Sequence, residues 1–588
     1  MADHAAHLAE KSFRSRMTRR QKIEAITAGL FDARATFEGH YRDLSEYYKP
    51  RRFRMSTSEV NQGGKKNHKI IDSTASTALR TARSGLMSGV TSPARRWYVL
   101  ETQDIRLMSM PAAKGWLYEY QERMAKVFNR SNLYRVLPTI YDDMLIFGTA
   151  AMYVEFSPTK TIRCQSFIPG TFWIGRDAEG MADTFYREFS MTVAQIVDTF
   201  AYRAEDDEID WSVVSEHVKT SYEQGQHGTR YDVCHMIYPN ELFDPNRADA
   251  KFKKYASVYY EKGFGTQRGH GRQYPPDKSR YLRESGYDLF PVLVFDWERA
   301  GEDDYATSCP GMEALGDVKQ LQEMEKKSLR AINKMIDPSM KASTSLRNKP
   351  VNLAPGGVTW IDDMSSRGTF EPAHQVVFPI REVEVKQAEA RTRIRDVFME
   401  NLWLMFTMRQ PEAPPTATQV QIQNDEKLLV LGPVLEQINQ ELERLIAITG
   451  RHMQQQGLVP EPPRELQGSR LNVVFVSVVA QAQKLVTIAN LDRFLTTAVQ
   501  LASVNPEVLD TIDTDQIIFR YADRLSVDPG LVRTIDQIQQ LRQARAQQAA
   551  QMQRTEHAAV GARAAKDLSA VDTEGSNVVA QLFRQAAA

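Results

Sequence analysis

Between Gly311 and Ile336 apolar residues recur at Leu321, Met324, Ala331 and Met335, with Ile332 and Ile336 beside them. That three-and-four spacing predicts a helix with one buried face. Asp337-Pro338 ends it, because the residue before a proline is pushed out of the helical region. After a non-helical insert the period returns at Ile394, Val397, Phe398, Leu402 and Met405. Arg409-Gln410-Pro411-Glu412-Ala413-Pro414-Pro415 breaks it, and Thr416-Ala417-Thr418 opens a third, long helix reaching about Gln456. Helix, strand-bearing insert, helix, proline loop and long helix form an order that few enzymes use.

The flanking pattern is mixed. A polar helix is expected from about Met17 to Tyr48 on Ile23, Ile26, Leu30, Phe31, Phe37 and Leu44, after a frayed N-terminus over residues 1–16. Residues 50–70 read as a basic loop, with Lys49, Arg51, Arg52, Arg54, Lys65, Lys66 and Lys69. Helices are expected at Ser73–Gly89, at Pro111–Asn129 and up to Phe147, and strands at Trp97–Leu100 and Ala150–Phe156. Alternation at Tyr231–Tyr238, Ser257–Tyr260 and Pro291–Phe295 predicts further strands, so the class is α+β, mainly helical. Past the linker Pro460, Pro462 and Pro463, a strand at Leu471–Val479 is followed mostly by helix. The stretch Ile535–Ala565, rich in Gln, Ala and Arg, is expected to pack against copies of itself or fray.

Composition narrows the chemistry. The 588 residues suggest three or four units at ~150 residues each. Lys plus Arg and Asp plus Glu both number 74, so any basic surface must be local; a protein that mainly grips nucleic acid is visibly basic. Cys164, Cys234 and Cys309 form no CxxC pair, which supports neither a zinc site nor a disulfide framework and points to a reducing compartment. No apolar run approaches ~18 residues and no signal-peptide core opens the chain, so a soluble intracellular product is expected, with no membrane partner.

Catalytic patterns are wanting. Gly63-Gly64-Lys65-Lys66 lacks phosphate-loop spacing and reads as a solvated basic loop. Asp142-Asp143 and Asp303-Asp304 read as surface charge, because adjacent helical residues face different ways and no acidic or His partner lies nearby. Histidines are scattered singly. Neither an enzyme, a metal nor a cofactor is indicated.

The two central helices carry mixed charge: Glu313, Asp317, Glu323 and Glu325 against Lys319, Lys326, Lys327, Arg330 and Lys334, then Glu382, Glu384, Glu389, Asp396 and Glu400 against Lys386, Arg391, Arg393 and Arg395. Two solvated faces with i,i+4 pairs are the simpler reading. The sharper one is a pore wall, where one charged residue becomes a ring of charge in a symmetric oligomer.

Five stretches carry a family resemblance: Ser84-Gly85-Leu86-Met87-Ser88-Gly89-Val90-Thr91-Ser92-Pro93 with Arg96-Trp97-Tyr98; Phe147-Gly148-Thr149-Ala150; Ile168-Pro169-Gly170 with Asp177 and Gly180; Cys309 to Lys319; and Pro415-Thr416-Ala417-Thr418-Gln419-Val420 with Glu426-Lys427 and Leu431-Gly432-Pro433-Val434-Leu435. The chain resembles the portal proteins (head-to-tail connectors) of short-tailed, podovirus-type bacteriophages over roughly residues 20–500. Gln419 departs from the glutamate expected there.

The resemblance implies a wing over 17–310, a first stem helix at 311–336, a clip at 337–381 with strands near Val351–Ile361 and His374–Ile380, and a second stem helix at 382–406. It further implies a tunnel loop at 407–417, a long wing helix at 418–456, wing and crown over 457–534, and a crown, barrel or disordered tail over 535–588. Such subunits form a ring, expected to be a dodecamer, at one capsid vertex of the virion, assembled in the host cytoplasm. Double-stranded DNA is packaged and ejected through it without sequence specificity. Its partners are copies of itself, terminase, tail adaptors, and major capsid and scaffolding proteins. Expected channel-lining residues are Lys319, Lys326, Lys327, Arg330, Lys334, Arg391, Arg393 and Arg395. The tunnel loop would present Thr407, Met408, Arg409 and Gln410, and the clip Trp360 and Phe370. The alternatives are a DNA-processing enzyme (nuclease or packaging ATPase) and a non-viral ring or filament scaffold.

Overall fold

The structure, a computed structural model, describes residues 18–55, 63–102, 104, 106–107, 110–203, 207–262, 280–336, 340–342, 370–372, 379–407, 417–466, 471–475, 494–498, 500, 513–524, 533 and 535–569. The chain divides into two units. The larger takes in Met1–Val99, Gln121–Pro460 and Val473–Ala480, and the smaller takes in Leu100–Tyr120, Glu461–Asn472 and Gln481–Ala588.

Two antiparallel sheets make the core of the larger unit. The first has three strands, with β1 (Thr149–Ser157) between β2 (Thr161–Ser166) and β8 (Val292–Asp296). The second runs in the order β7-β6-β5-β4-β3, from Arg283–Tyr287 through Tyr255–Glu261, Arg230–Pro239 and Ala182–Thr192 to Phe172–Arg176. Register places Ala151 opposite Val294 and Tyr153 opposite Val292. These side chains meet Phe172, Ile174 and Phe185 of the second sheet in one apolar cluster. Residues 149–154 of β1 are all buried, as a strand covered on both faces must be.

Helices close over this core. α1 (Arg19–Ala35) begins at a capping box between Thr18 and Gln21 and seats Ile23 and Leu30 against Trp173, Tyr186 and Met236. Two arginines help to hold it: Arg20 lies 3.5 Å over the Tyr260 ring and Arg34 lies 3.8 Å over Trp173. The single helix expected over 17–48 is broken at Thr36-Phe37, and α2 (Glu38–Tyr48) follows. α3 (Thr74–Gly89), α4 (Pro111–Arg130) and α5 (Leu133–Phe147) lie close to their predicted places.

Asp142-Asp143, expected as surface charge, is buried near the end of α5. Arg52 forks onto Asp143 at 2.7 and 2.5 Å, while Lys49 and Arg83 pair with Asp142. The ligands come from the loop read as solvated and from α3, so no local pattern could reveal them.

In the smaller unit a helix α10 (Thr514–Arg524) and a long α11 (Ile535–Ser569) are joined by Arg542, which forks onto Asp515 with both bonds at 2.7 Å. Along α11 the apolar Met552 and Val560 are exposed.

Candidate functional site

The 27-residue helix α6 (Pro310–Ile336) and its partner α7 (Ile380–Val397) form a hairpin. At 1.5 Å per residue α6 spans about 40 Å. Rising residue numbers on α7 meet falling ones on α6, so the two run antiparallel. Gln387 Nε2 donates to Ser328 Oγ at 3.2 Å, Arg391 Nη2 to Glu325 at 2.5 Å, and Arg393 to Asp317 at 2.7 and 2.9 Å. Near its base Ala314, Leu315, Val318 and Leu321 of α6 are buried, as are Ala390 and Ile394 of α7.

The hairpin is rooted in the larger unit. Gly311 sits so close to α5 that a Cβ there would lie 2.8 Å from the Ile146 backbone, and Tyr48 donates to the Gly311 carbonyl at 2.9 Å. The Gln322 amide, 4% exposed, accepts from the Ile71 and Asp72 backbone nitrogens at 2.6 and 2.8 Å and donates to the Asp72 carbonyl at 2.8 Å. Asp72 in turn accepts from Arg391 Nε at 2.9 Å. Burial alone would raise the Asp72 carboxyl, but hydrogen bonds from Thr74 and the Arg391 guanidinium outweigh it and hold the group below its ordinary value. Asp72 and Gln322 were not among the predicted residues, and nothing in their immediate sequence marks them.

The predicted buried face of α6 needs correction. Leu321 is buried and Met324, Ala331 and Ile332 are half-buried, but Met335 and Ile336 are exposed. The body of the unit meets α6 through its first half; at Ser328 the partner is Gln387 of α7, and Ala331 and Ile332 beyond it are half-buried.

The single helix expected over 382–406 is likewise not continuous. α7 ends at Phe398-Met399, where Met399 has φ +53°, and α8 (Glu400–Thr407) resumes the chain. A left-handed methionine stops a helix as firmly as a glycine does, but leaves no signature in the sequence. Phe398 packs against Tyr48 with ring centroids 5.8 Å apart, and its carbonyl accepts from Trp403 Nε1 at 3.0 Å.

The predicted channel residues fall into two sets. Lys319 pairs with Asp43 on α2 at 2.7 Å, Arg391 and Arg393 pin the hairpin, and Arg395 pairs with Glu400 at 3.3 Å. Lys326, Lys327, Arg330 and Lys334 are exposed along α6, with Lys327 3.6 Å from Glu323. Thr407 closes α8; Met408, Arg409 and Gln410 lie outside the described residues, and α9 (Ala417–Gln455) begins beyond them. In the segment expected as the clip, β9 (Met340–Ala342) pairs antiparallel with β10 (Phe370–Pro372), which contains Phe370. Trp360, the strand expected at Val351–Ile361 and most of that at His374–Ile380 lie outside the described residues, while Pro379-Ile380 open α7 instead of ending a strand.

The three cysteines are all buried. Burial pushes the Cys309 thiol up to about 12, as it does Cys164 and Cys234. Among the described residues no His, Cys, Asp and Glu cluster is placed to hold a metal, and no helix is long and apolar enough to cross a membrane.

Known proteins of similar sequence come from phages. The chain is 38% identical over 572 residues to the portal protein of Salmonella phage epsilon15, covering 97% of this chain and 99% of that one. It is 34% identical over 568 residues to the probable portal protein of Bordetella phage BPP-1, covering 96% and 98%. The likeness therefore runs well past the 20–500 span of the motifs. With the model of the bacteriophage head to tail connecting protein matching residues 20–532, the chain belongs to that family.

Proposed function

We propose that this chain closes into a ring, a dodecamer, whose stem hairpins wall a channel for double-stranded DNA. The protein is a phage portal, a structural component of the capsid vertex through which DNA passes, and the family is not enzymatic. The enzyme and non-viral scaffold alternatives fall with that membership.

The observation that carries the ring reading is the hairpin itself. About 40 Å of helix is rooted at one end by Gly311, Gln322 and Asp72, and free of the body at the other. A ring needs a heterologous contact, one face meeting a different face of the next copy. Lys327 and Lys334 are the cations that meet phosphates, Lys326 and Arg330 stand between that row and the edge of the hairpin, and Arg391, Arg393 and Arg395 act by fixing hairpin geometry. A row of basic groups set against acidic neighbours such as Glu323 lets DNA touch and slide without being held, since every unopposed phosphate contact adds to non-specific affinity.

The segment from Thr407 to Ala417 narrows the channel, with Arg409 checking the return of packaged DNA. The clip docks terminase and then the tail adaptor, with Trp360 and Phe370 as contact residues, and the wing meets capsid and scaffolding proteins. Negative-stain electron microscopy of the purified protein tests the ring: end-on views should show a closed ring around an open channel. Persistent monomers at high concentration, with scaffolding protein supplied, would count against it.

A further inference from the structure

We propose that the seam between neighbouring subunits is made by an apolar stripe on α6 seated in a shallow groove on the outer face of α7 of the next copy. This rests on the ring reading. Val318, Gln322, Glu325, Leu329, Ile332 and Ile336 follow one another at alternating steps of four and three, and so share a single face of α6. In its upper part that face is used within the subunit: Val318 is buried, Gln322 grips the backbone of Ile71 and Asp72, and Glu325 accepts from Arg391 of α7. In its lower part it is more open, with Leu329 50% and Ile336 76% exposed and Ile332 half-buried between them. Leucine and isoleucine at this spacing are the pattern of a helix face awaiting another helix.

The complementary surface is on α7. Gln387, Ala390 and Ile394 are its buried positions, so the opposite side carries the groove lined by Val385, Ala388, Glu389, Thr392 and Arg393. Val385, Ala388 and Thr392 repeat the three-then-four step of Leu329, Ile332 and Ile336 and are small, so a bulky stripe seats among them. Charge agrees. Lys326 and Arg330 lie along one side of the stripe, Glu382 and Asp396 stand at the two ends of the groove, and none of the four has an ion-pair partner among the described residues. Because stripe and groove lie on different faces of one hairpin, their pairing is heterologous and propagates round a ring.

Paired cysteines test the seam. In the full chain, Ile332→Cys is combined in turn with Val385→Cys, Ala388→Cys and Thr392→Cys, which scans three registers; the native cysteines are buried and stay silent. Under mild oxidation at least one pair should give a ladder of cross-linked oligomers, and no single variant should. Rings visible by microscopy without a ladder from any pair, or a ladder from Ile332→Cys alone, would overturn the seam and leave the ring standing. Unaltered protein that never forms rings would overturn the ring reading. As a second readout, Lys326→Glu should cut ring yield several-fold at low salt, and adding Glu382→Lys or Asp396→Lys should restore it; no recovery with either reversal counts against the charge pairing.

Discussion

Trp403 packs directly on Gly85: a Cβ built on the glycine would come within 2.4 Å of the indole Cε3 and 2.6 Å of the Trp403 Cβ. This contact joins α3 to α8, the helix that leads into the proline-rich loop, and it gives the glycine of the Ser84–Pro93 motif a physical reason. Gly85→Ala should lower stability by about 1–3 kcal/mol through overpacking. Trp403→Leu in the same chain should recover part of that loss. Thermal unfolding of the four combinations measures the coupling, and simple additivity would show that the two residues do not share the space.

The break between α7 and α8 predicts a second, opposite response. Met399 sits at φ +53°, where a β-branched side chain is strained and glycine is at ease. Met399→Ile should therefore destabilise by about 1–3 kcal/mol, while Met399→Gly should be close to neutral. Equal losses from both would mean that the methionine side chain, and not its backbone, fixes the turn.

The buried carboxylates of α5 predict a double-mutant signature. Asp143→Asn leaves the Arg52 guanidinium without its forked partner and should cost about 3–5 kcal/mol. Arg52→Met added to it should cost less than the sum of the two single changes. Chemical denaturation of all four proteins gives the coupling; a value near zero would show the pair to be independent.

How far could the sequence be read? The hairpin helices, the long α9 and most strands are legible because their apolar periods are local: α6 was expected at 311–336 and runs Pro310–Ile336, and α9 runs Ala417–Gln455 against 418–456. What failed was long-range. Asp142 and Asp143 look like surface charge until Lys49, Arg52 and Arg83 arrive from elsewhere in the chain. Met399 carries no turn signal, and the period of Val397, Phe398 and Leu402 passes through it unbroken. At the candidate site the sequence marks which arginines are present, but not that Arg391 is occupied by Asp72, 319 positions away.

That last pair predicts how the hairpin root responds to acid. The Asp72 carboxyl is held below its ordinary value in the folded chain, so the folded state gives up its proton more readily than the unfolded state does. Unfolding therefore takes up a proton in the window below about pH 4, and the stability this group supplies is complete above it and lost as pH falls through the lowered folded value. Asp72→Asn removes the titration but keeps the size of the side chain. Thermal melts at intervals from about pH 6 down to pH 3 should show the unaltered protein losing stability more steeply than Asp72→Asn in the lower part of that range. At neutral pH the order should be reversed in size, the variant being weaker by the loss of the Arg391 bond. Parallel curves would mean that the Asp72 carboxylate does not anchor the hairpin, and that Gln322 alone holds α6 to the segment before α3.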